Sequence, residues 1–244
     1  MTKFRVIIGE NIKKSKDLEI SEAIDILSSI KAVFKNNTIG KKTAYSLHFG
    51  DLIDGSSDIV FYIDTDNEDN LLKIVPSYNL VKMCLDDFKM AKEDASQIVK
   101  NKKRFSGIKK FFATTRKIKY NVKVKIEDSD NESYEFTQEE SIKIFDTFNE
   151  DSGVKTCLCS AEVFAIDVIK RKIGLKIIKS KLYDAGEEIE MRINQTVVDY
   201  CVKHRIQIGD IVDATTEVET KNAKHKHRLL NIYSENISGL NLYD

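Results

Sequence analysis

Two acidic runs are the first residues whose type and spacing could do chemistry. Asp64-Thr65-Asp66-Asn67-Glu68-Asp69 follows a candidate strand, and Asp128-Ser129-Asp130-Asn131-Glu132 nearly repeats its pattern. Hard cations such as Mg²⁺ or Ca²⁺ take carboxylate oxygens, so alternate acids at a strand end could serve a metal-dependent nuclease. A calcium loop is excluded, because the glycine and the final glutamate that its geometry needs are missing. Asp and Asn are also turn formers, and solvated turns are the plainer reading of both runs.

A second candidate set is soft. Cys157-Leu158-Cys159 and His225-Lys226-His227 each place two ligands two residues apart, on one face of a strand if extended. Together they could hold Zn²⁺, but zinc sites space their cysteines and histidines more widely. Core thiols and a basic loop explain them better. The sequence also lacks a Gly-x-Ser-x-Gly elbow, a His-Glu-x-x-His helix, a Walker A loop and a Gly-x-Gly-x-x-Gly turn. The expectation is a protein without catalytic residues, bound metal or cofactor.

Charge is more informative. The chain carries 39 Lys and Arg against 39 Asp and Glu, yet Lys100 to Ile126 holds eleven basic residues and no acid. Lys102, Lys103, Arg104, Lys109, Lys110 and Arg116 lie there among Phe105, Phe111, Phe112 and Tyr120. Cations for phosphate interleaved with rings for base stacking are what a nucleic-acid surface needs. The next segment, Glu127 to Asp151, is acidic, so the competing reading has the two stretches facing each other and the phenylalanines in the core.

The elements that would position these residues follow from hydrophobic period. Lys3–Gly9 reads as a buried strand, followed by a helix capped by Ser21 with Ile24, Leu27, Ile30 and Phe34 inward. Strands fit Tyr45–Phe49 and Ile59–Ile63, and one long helix fits Tyr78–Lys100. Strands return at Ile118–Ile126 and Ser133–Phe136. Thr137 with Glu140 then has the spacing of a capping box, ahead of a helix with Ile142, Ile144, Phe145 and Phe148 on one face. The polar stretch Asn149 to Gly153 reads as a domain boundary.

Beyond it come strands at Val154–Ile169, Gly174–Lys181 and Glu187–Ile193, a helix at Gln195–Lys203, and strands at Ile211–Glu219 and Leu229–Tyr233. Three strands, a helix and two strands resembles the order of an OB-fold, down to the Gly209-Asp210 that opens the fourth strand. The expected fold is therefore α+β: a mixed α/β domain over 1–152 carrying the basic segment 100–126, then a small OB-like five-stranded barrel over 153–244. At 244 residues the chain exceeds the commonest domain size of roughly 100–150, which agrees with two domains.

In an OB-like barrel the loops after strands one and four flank the binding face. Here the first holds Lys170, Arg171 and Lys172, with Lys176 just beyond. The second holds Lys221, Lys224, His225, Lys226, His227 and Arg228. The expected function is non-catalytic binding of single-stranded DNA or RNA. A protein-interaction subunit of a bacterial defence or mobile-element assembly is the alternative, and a divergent metal-dependent nuclease the third reading. The opening Met1-Thr2-Lys3-Phe4-Arg5 has no apolar targeting stretch, the four cysteines suggest no disulfide framework, and no run suits a membrane span. A cytoplasmic protein is expected. The single proline and abundant Lys, Asn and Ile suggest a low-GC bacterial or phage gene.

Overall fold

The computed structural model describes residues 2–8, 20–38, 46–52, 57–64, 77–100, 102–126, 133–150, 153–221 and 224–234. It contains helices and strands and divides into two compact units, Met1–Phe148 and Asn149–Asp244. No helix among the described residues is long and apolar enough to cross a membrane.

In the first unit, β1 (Thr2–Ile8), β2 (Ser46–Leu52), β3 (Ser57–Asp64), β4 (Val122–Ile126) and β5 (Ser133–Phe136) form a sheet ordered β2-β3-β1-β4-β5. Every neighbouring pair is antiparallel. Alternation along β1 and β4 sends Phe4, Val6 and Ile8, with their partners Ile126, Val124 and Val122, into one core.

Five helices complete that core: α1 (Ile20–Thr38), α2 (Ser77–Glu93), α3 (Ala95–Lys100), α4 (Lys102–Thr115) and α5 (Gln138–Phe148). They differ from expectation in three ways. Helix α1 already contains Ser21, and it turns Ile26, Ile30, Val33 and Phe34 inward while Ile24 faces solvent. The single helix expected over Tyr78–Lys100 breaks at Asp94. Its Oδ1 accepts from the Ser96 backbone N–H at 3.1 Å and its Oδ2 from Gln97 Nε2 at 3.0 Å. Asp94 thus starts α3 as a cap and ends α2. The Ser96 and Gln97 side chains hold its carboxyl below the ordinary value. The third difference is α4, whose Ile108, Phe111 and Phe112 fall at helical spacing and are fully buried. The expected strand at Ile118–Ile126 shortens to β4.

The expected capping box is present at α5. The Thr137 backbone N–H donates to Glu140 Oε2 at 2.9 Å, and the Glu140 N–H donates to Thr137 Oγ1 at 3.1 Å.

The second unit contains β6 (Val154–Asp167), β7 (Lys172–Ser180), β8 (Glu188–Ile193), α6 (Gln195–Lys203), β9 (Ile211–Lys221) and β10 (Lys224–Ser234). Its strands close in the order β10-β8-β7-β6-β9. All pairings are antiparallel except β8 with β10, which is parallel. Closure needs a bent first strand, and β6 bends at register shifts between Ser160 and Ala161 and between Val163 and Ala165. Val163, Leu175, Met191, Val212 and Leu229 fill the interior together with Val197, Val198 and Cys201 of α6. Asn194 caps α6 by accepting from the Val197 N–H at 2.9 Å. The left-handed turn at Gly209, φ 96°, lets its N–H donate to Val163 O at 2.7 Å, tying the start of β9 to β6.

Candidate nucleic-acid interface

The basic run of the first unit spans the amphipathic helix α4, a short turn and strand β4. Phe111 and Phe112 pack edge-on against Phe136 at 6.1 and 5.0 Å between ring centroids, and Phe105 packs against Phe148 at 5.2 Å. These rings belong to the core, so the base-stacking role expected for them is corrected. Two of the six cations follow them inward. Arg104 Nη1 lies 3.1 Å from Oδ1 of the fully buried Asp87. Arg116 is only 4% exposed, with its guanidinium carbon 3.6 Å from the centre of the Phe145 ring. Lys109 lies over the Phe105 ring, and Lys110 donates to Ser28 Oγ at 2.7 Å from an exposed position. The side chains of Lys102 and Lys103 lie outside the described residues.

The second unit arranges its cations differently. Strand register brings together three residues that are far apart in sequence. Lys172 of β7 stands opposite Arg192 of β8, and Arg192 stands opposite Arg228 of β10. All three are exposed, so one row of positive charge crosses three strands on the outer face of the closed sheet. Arg192 was not among the expected site residues. A lone arginine in Glu188–Ile193 carries no signal until the sheet register is known.

Two members of the row have local acidic partners. Lys172 Nζ is 3.1 Å from Glu190 Oε2, and Arg228 reaches Glu217 at 3.5 Å and Glu219 at 3.6 Å. Arg192 has no ion pair among the described residues. The exposed Lys172–Glu190 pair contributes about 0–1 kcal/mol, so a polyanion could displace Glu190 at little cost, whereas Arg228 is paired with the buried Glu217. Lys176 is placed otherwise, because its cross-strand neighbours on both sides are acids, Glu162 and Glu188. The run of adjacent like charges is therefore confined to the three-residue row and does not include Lys176.

The turn between β6 and β7 extends the row. Asp167 Oδ1 accepts from the Lys170 N–H at 2.8 Å, and the Arg171 N–H donates to Val168 O at 3.3 Å. Arg171 takes a left-handed φ of 52°, and its carbonyl accepts from the Ile193 N–H at 3.0 Å. Lys170 and Arg171 are thus exposed on a fixed turn, with Lys170 Nζ 3.4 Å from Asp167 Oδ2. The Lys170 hydrogen bonds hold the Asp167 carboxyl below its ordinary value. A ring also lies on this face: Phe164, partly exposed, sits over Gly174.

The second expected loop is corrected. Lys224 to Arg228 belong to β10 rather than to a long basic connection, and Lys224 pairs with Lys221 at the end of the β9–β10 ladder. The Lys221 and Lys224 side chains lie outside the described residues. Strand alternation separates the rest. Lys226 stands opposite Glu219, whereas His227 turns toward Tyr183, with Nδ1 3.4 Å from the phenol oxygen. Burial lowers the His227 pKa, helped by nearby His225 and opposed by Glu187. His227 therefore leaves the outward set.

The soft ligands do not assemble into a site. Cys157 and Cys159 point inward from β6, and burial pushes the Cys159 thiol up to about 12. Among the described residues no three His, Cys, Asp or Glu side chains gather closely enough to share a metal. Residues 65–69 and 128–132, with the Asp64 side chain, lie outside the described residues. No protein-family model matches the chain, and no curated protein or solved structure matches it.

Proposed function

We propose that the chain is a non-catalytic single-stranded nucleic-acid-binding protein whose second unit is an OB-like barrel. Support for the barrel type comes from the closed order β10-β8-β7-β6-β9, the parallel β8–β10 pair and the helix between the third and fourth strands. The observation that carries the binding reading is the Lys172–Arg192–Arg228 row. Like charges directly opposite in a sheet repel, and a phosphate backbone lying along them turns that cost into affinity. The fixed turn adds Lys170 and Arg171 at one end of the track. Fluorescence anisotropy with labelled single-stranded DNA and RNA at low salt tests the proposal. Binding that weakens as salt rises is expected, and no binding of either strand contradicts it. Incubation with Mg²⁺ or Mn²⁺ is expected to leave both strands intact. Cleavage that disappears in Asp64→Ala or Asp66→Ala would instead establish the nuclease reading.

One feature favours a second reading, docking to a partner protein in a bacterial multiprotein assembly. The β6–β7 turn that carries the cations also presents Val168 and Ile169, the latter 95% exposed. Loss of a co-purifying protein in Ile169→Ser, with nucleic-acid binding undetectable in the parent, would support that reading over the first.

A further inference from the structure

Phe164 occupies an unusual place in its strand. It is the extra residue of the β6 bulge, since Val163 pairs with Leu175 and Ala165 pairs with Gly174, leaving Phe164 without a partner across the ladder. Such a bulge re-aims one side chain and bends its strand. Val163 remains inside the barrel, fully buried, while Phe164 is partly exposed.

Gly174 receives the ring. A Cβ built at Gly174 would lie 2.6, 2.7 and 2.9 Å from three ring carbons of Phe164, closer than real Cβ atoms approach. The ring therefore rests against the sheet where any other residue would hold it off. A glycine inside a strand forfeits packing and entropy, and its use here is the close approach of that ring. Two residues away on either side of Gly174, on the same outer face, lie Lys172 and Lys176. Lys172 is one end of the cationic row.

We propose that Phe164 is a stacking platform for one base of a single-stranded nucleic acid, held in place by Gly174 as a positioning residue. This deepens the reading above and rests on it: the backbone follows Lys172, Arg192 and Arg228, and a base turns inward onto the ring. A partly exposed ring resting against the sheet offers a base a π-face without selecting among the four. The platform explains together the bulge, the glycine and the partial exposure of a large apolar side chain.

The test compares two labelled strands of equal length, a single-stranded oligonucleotide and an abasic strand with the same phosphodiester backbone, at one low salt concentration. The parent protein is expected to bind the base-bearing strand about 5- to 150-fold more tightly, the range a single stacked base supplies. Phe164→Leu keeps apolar bulk over Gly174 but has no π-face, and it is expected to remove most of that difference. Phe164→Trp should keep it and show quenching of indole fluorescence on binding. Gly174→Ala should reduce it with the ring still present, by lifting the ring from its seat. Unfolding transitions of each variant identify any that fail to fold, and the Leu and Trp exchanges are the ones the packing tolerates best. If both strands bind equally and Phe164→Leu changes neither, the platform is overturned while the charge-row reading stands. If neither strand binds the parent, the charge-row reading falls and the platform with it.

Discussion

Arg192 stands directly opposite Arg228 in the parallel pair of β8 with β10, while its other side faces Lys172 across the antiparallel pair with β7. A sheet that places three like charges in one cross-strand row gives up stability, by roughly 0.2–1 kcal/mol for each unfavourable pair. Replacing Arg192 by Thr, a good strand former, is therefore expected to stabilise the free protein by several tenths of a kcal/mol while weakening nucleic-acid binding. Denaturant unfolding monitored by circular dichroism measures the first effect, and a destabilised Arg192→Thr would show that the arginine serves the fold instead.

In the first unit the opposite holds for Arg104. Its partner Asp87 is fully buried, so removing the guanidinium takes a charged partner from a carboxylate held away from water. Arg104→Ala is expected to cost on the order of 3 kcal/mol, against less than about 0.5 for the exposed Lys110→Ala. Equal midpoints for the two variants in urea would contradict the assignment of Arg104 to the core.

His227 gives the barrel a pH dependence. Its folded pKa lies below the ordinary 6.5, chiefly through burial, so the unfolded chain binds more protons as pH falls below that value. Stability contributed by neutral His227 is present above pH 6.5 and declines through the range between the unfolded pKa and the lower folded one. His227→Gln is expected to flatten the stability profile as pH falls below about 6.5. An unchanged slope there would mean that other groups set the profile.

The second unit closes its own sheet and has its own apolar interior, so no strand edge depends on the first. A fragment spanning 149–244 is expected to unfold cooperatively when heated or titrated with urea. A fragment that melts without a transition, while the full chain shows one, would argue against an independent barrel.

Local signals were legible in the sequence where they were complete within a few residues. The capping box of Thr137 and Glu140 and the helix at Gln195–Lys203 needed only their own neighbours. The basic segment misled because interleaved Lys and Phe fit an exposed binding strip as well as an amphipathic helix. The period of Ile108, Phe111 and Phe112 decides for the helix, and burial of Arg116 over Phe145 depends on contacts that period does not show. The long helix expected over Tyr78–Lys100 failed at Asp94, where an aspartate followed by Ser96 and Gln97 forms a cap inside an otherwise continuous apolar stripe. The candidate site was half legible. Lys170, Arg171 and Lys172 stood out as a cluster, but Arg192 and Phe164 acquire meaning only through register, one through its cross-strand neighbours and the other through a bulge.

The account rests on the row of Lys172, Arg192 and Arg228 as a phosphate track, and the salt dependence of binding tests that most directly. Affinity for a single-stranded oligonucleotide, measured by anisotropy over a range of salt concentrations, gives a slope of log K against log salt. Each lost phosphate contact should reduce that slope by roughly 0.7. The combined Lys172→Ala, Arg192→Ala and Arg228→Ala variant is therefore expected to lose roughly 2 units of slope, while Lys176→Ala, whose neighbours are acids, keeps the parental value. A triple variant with the parental slope, or an equal loss in Lys176→Ala, would contradict the account.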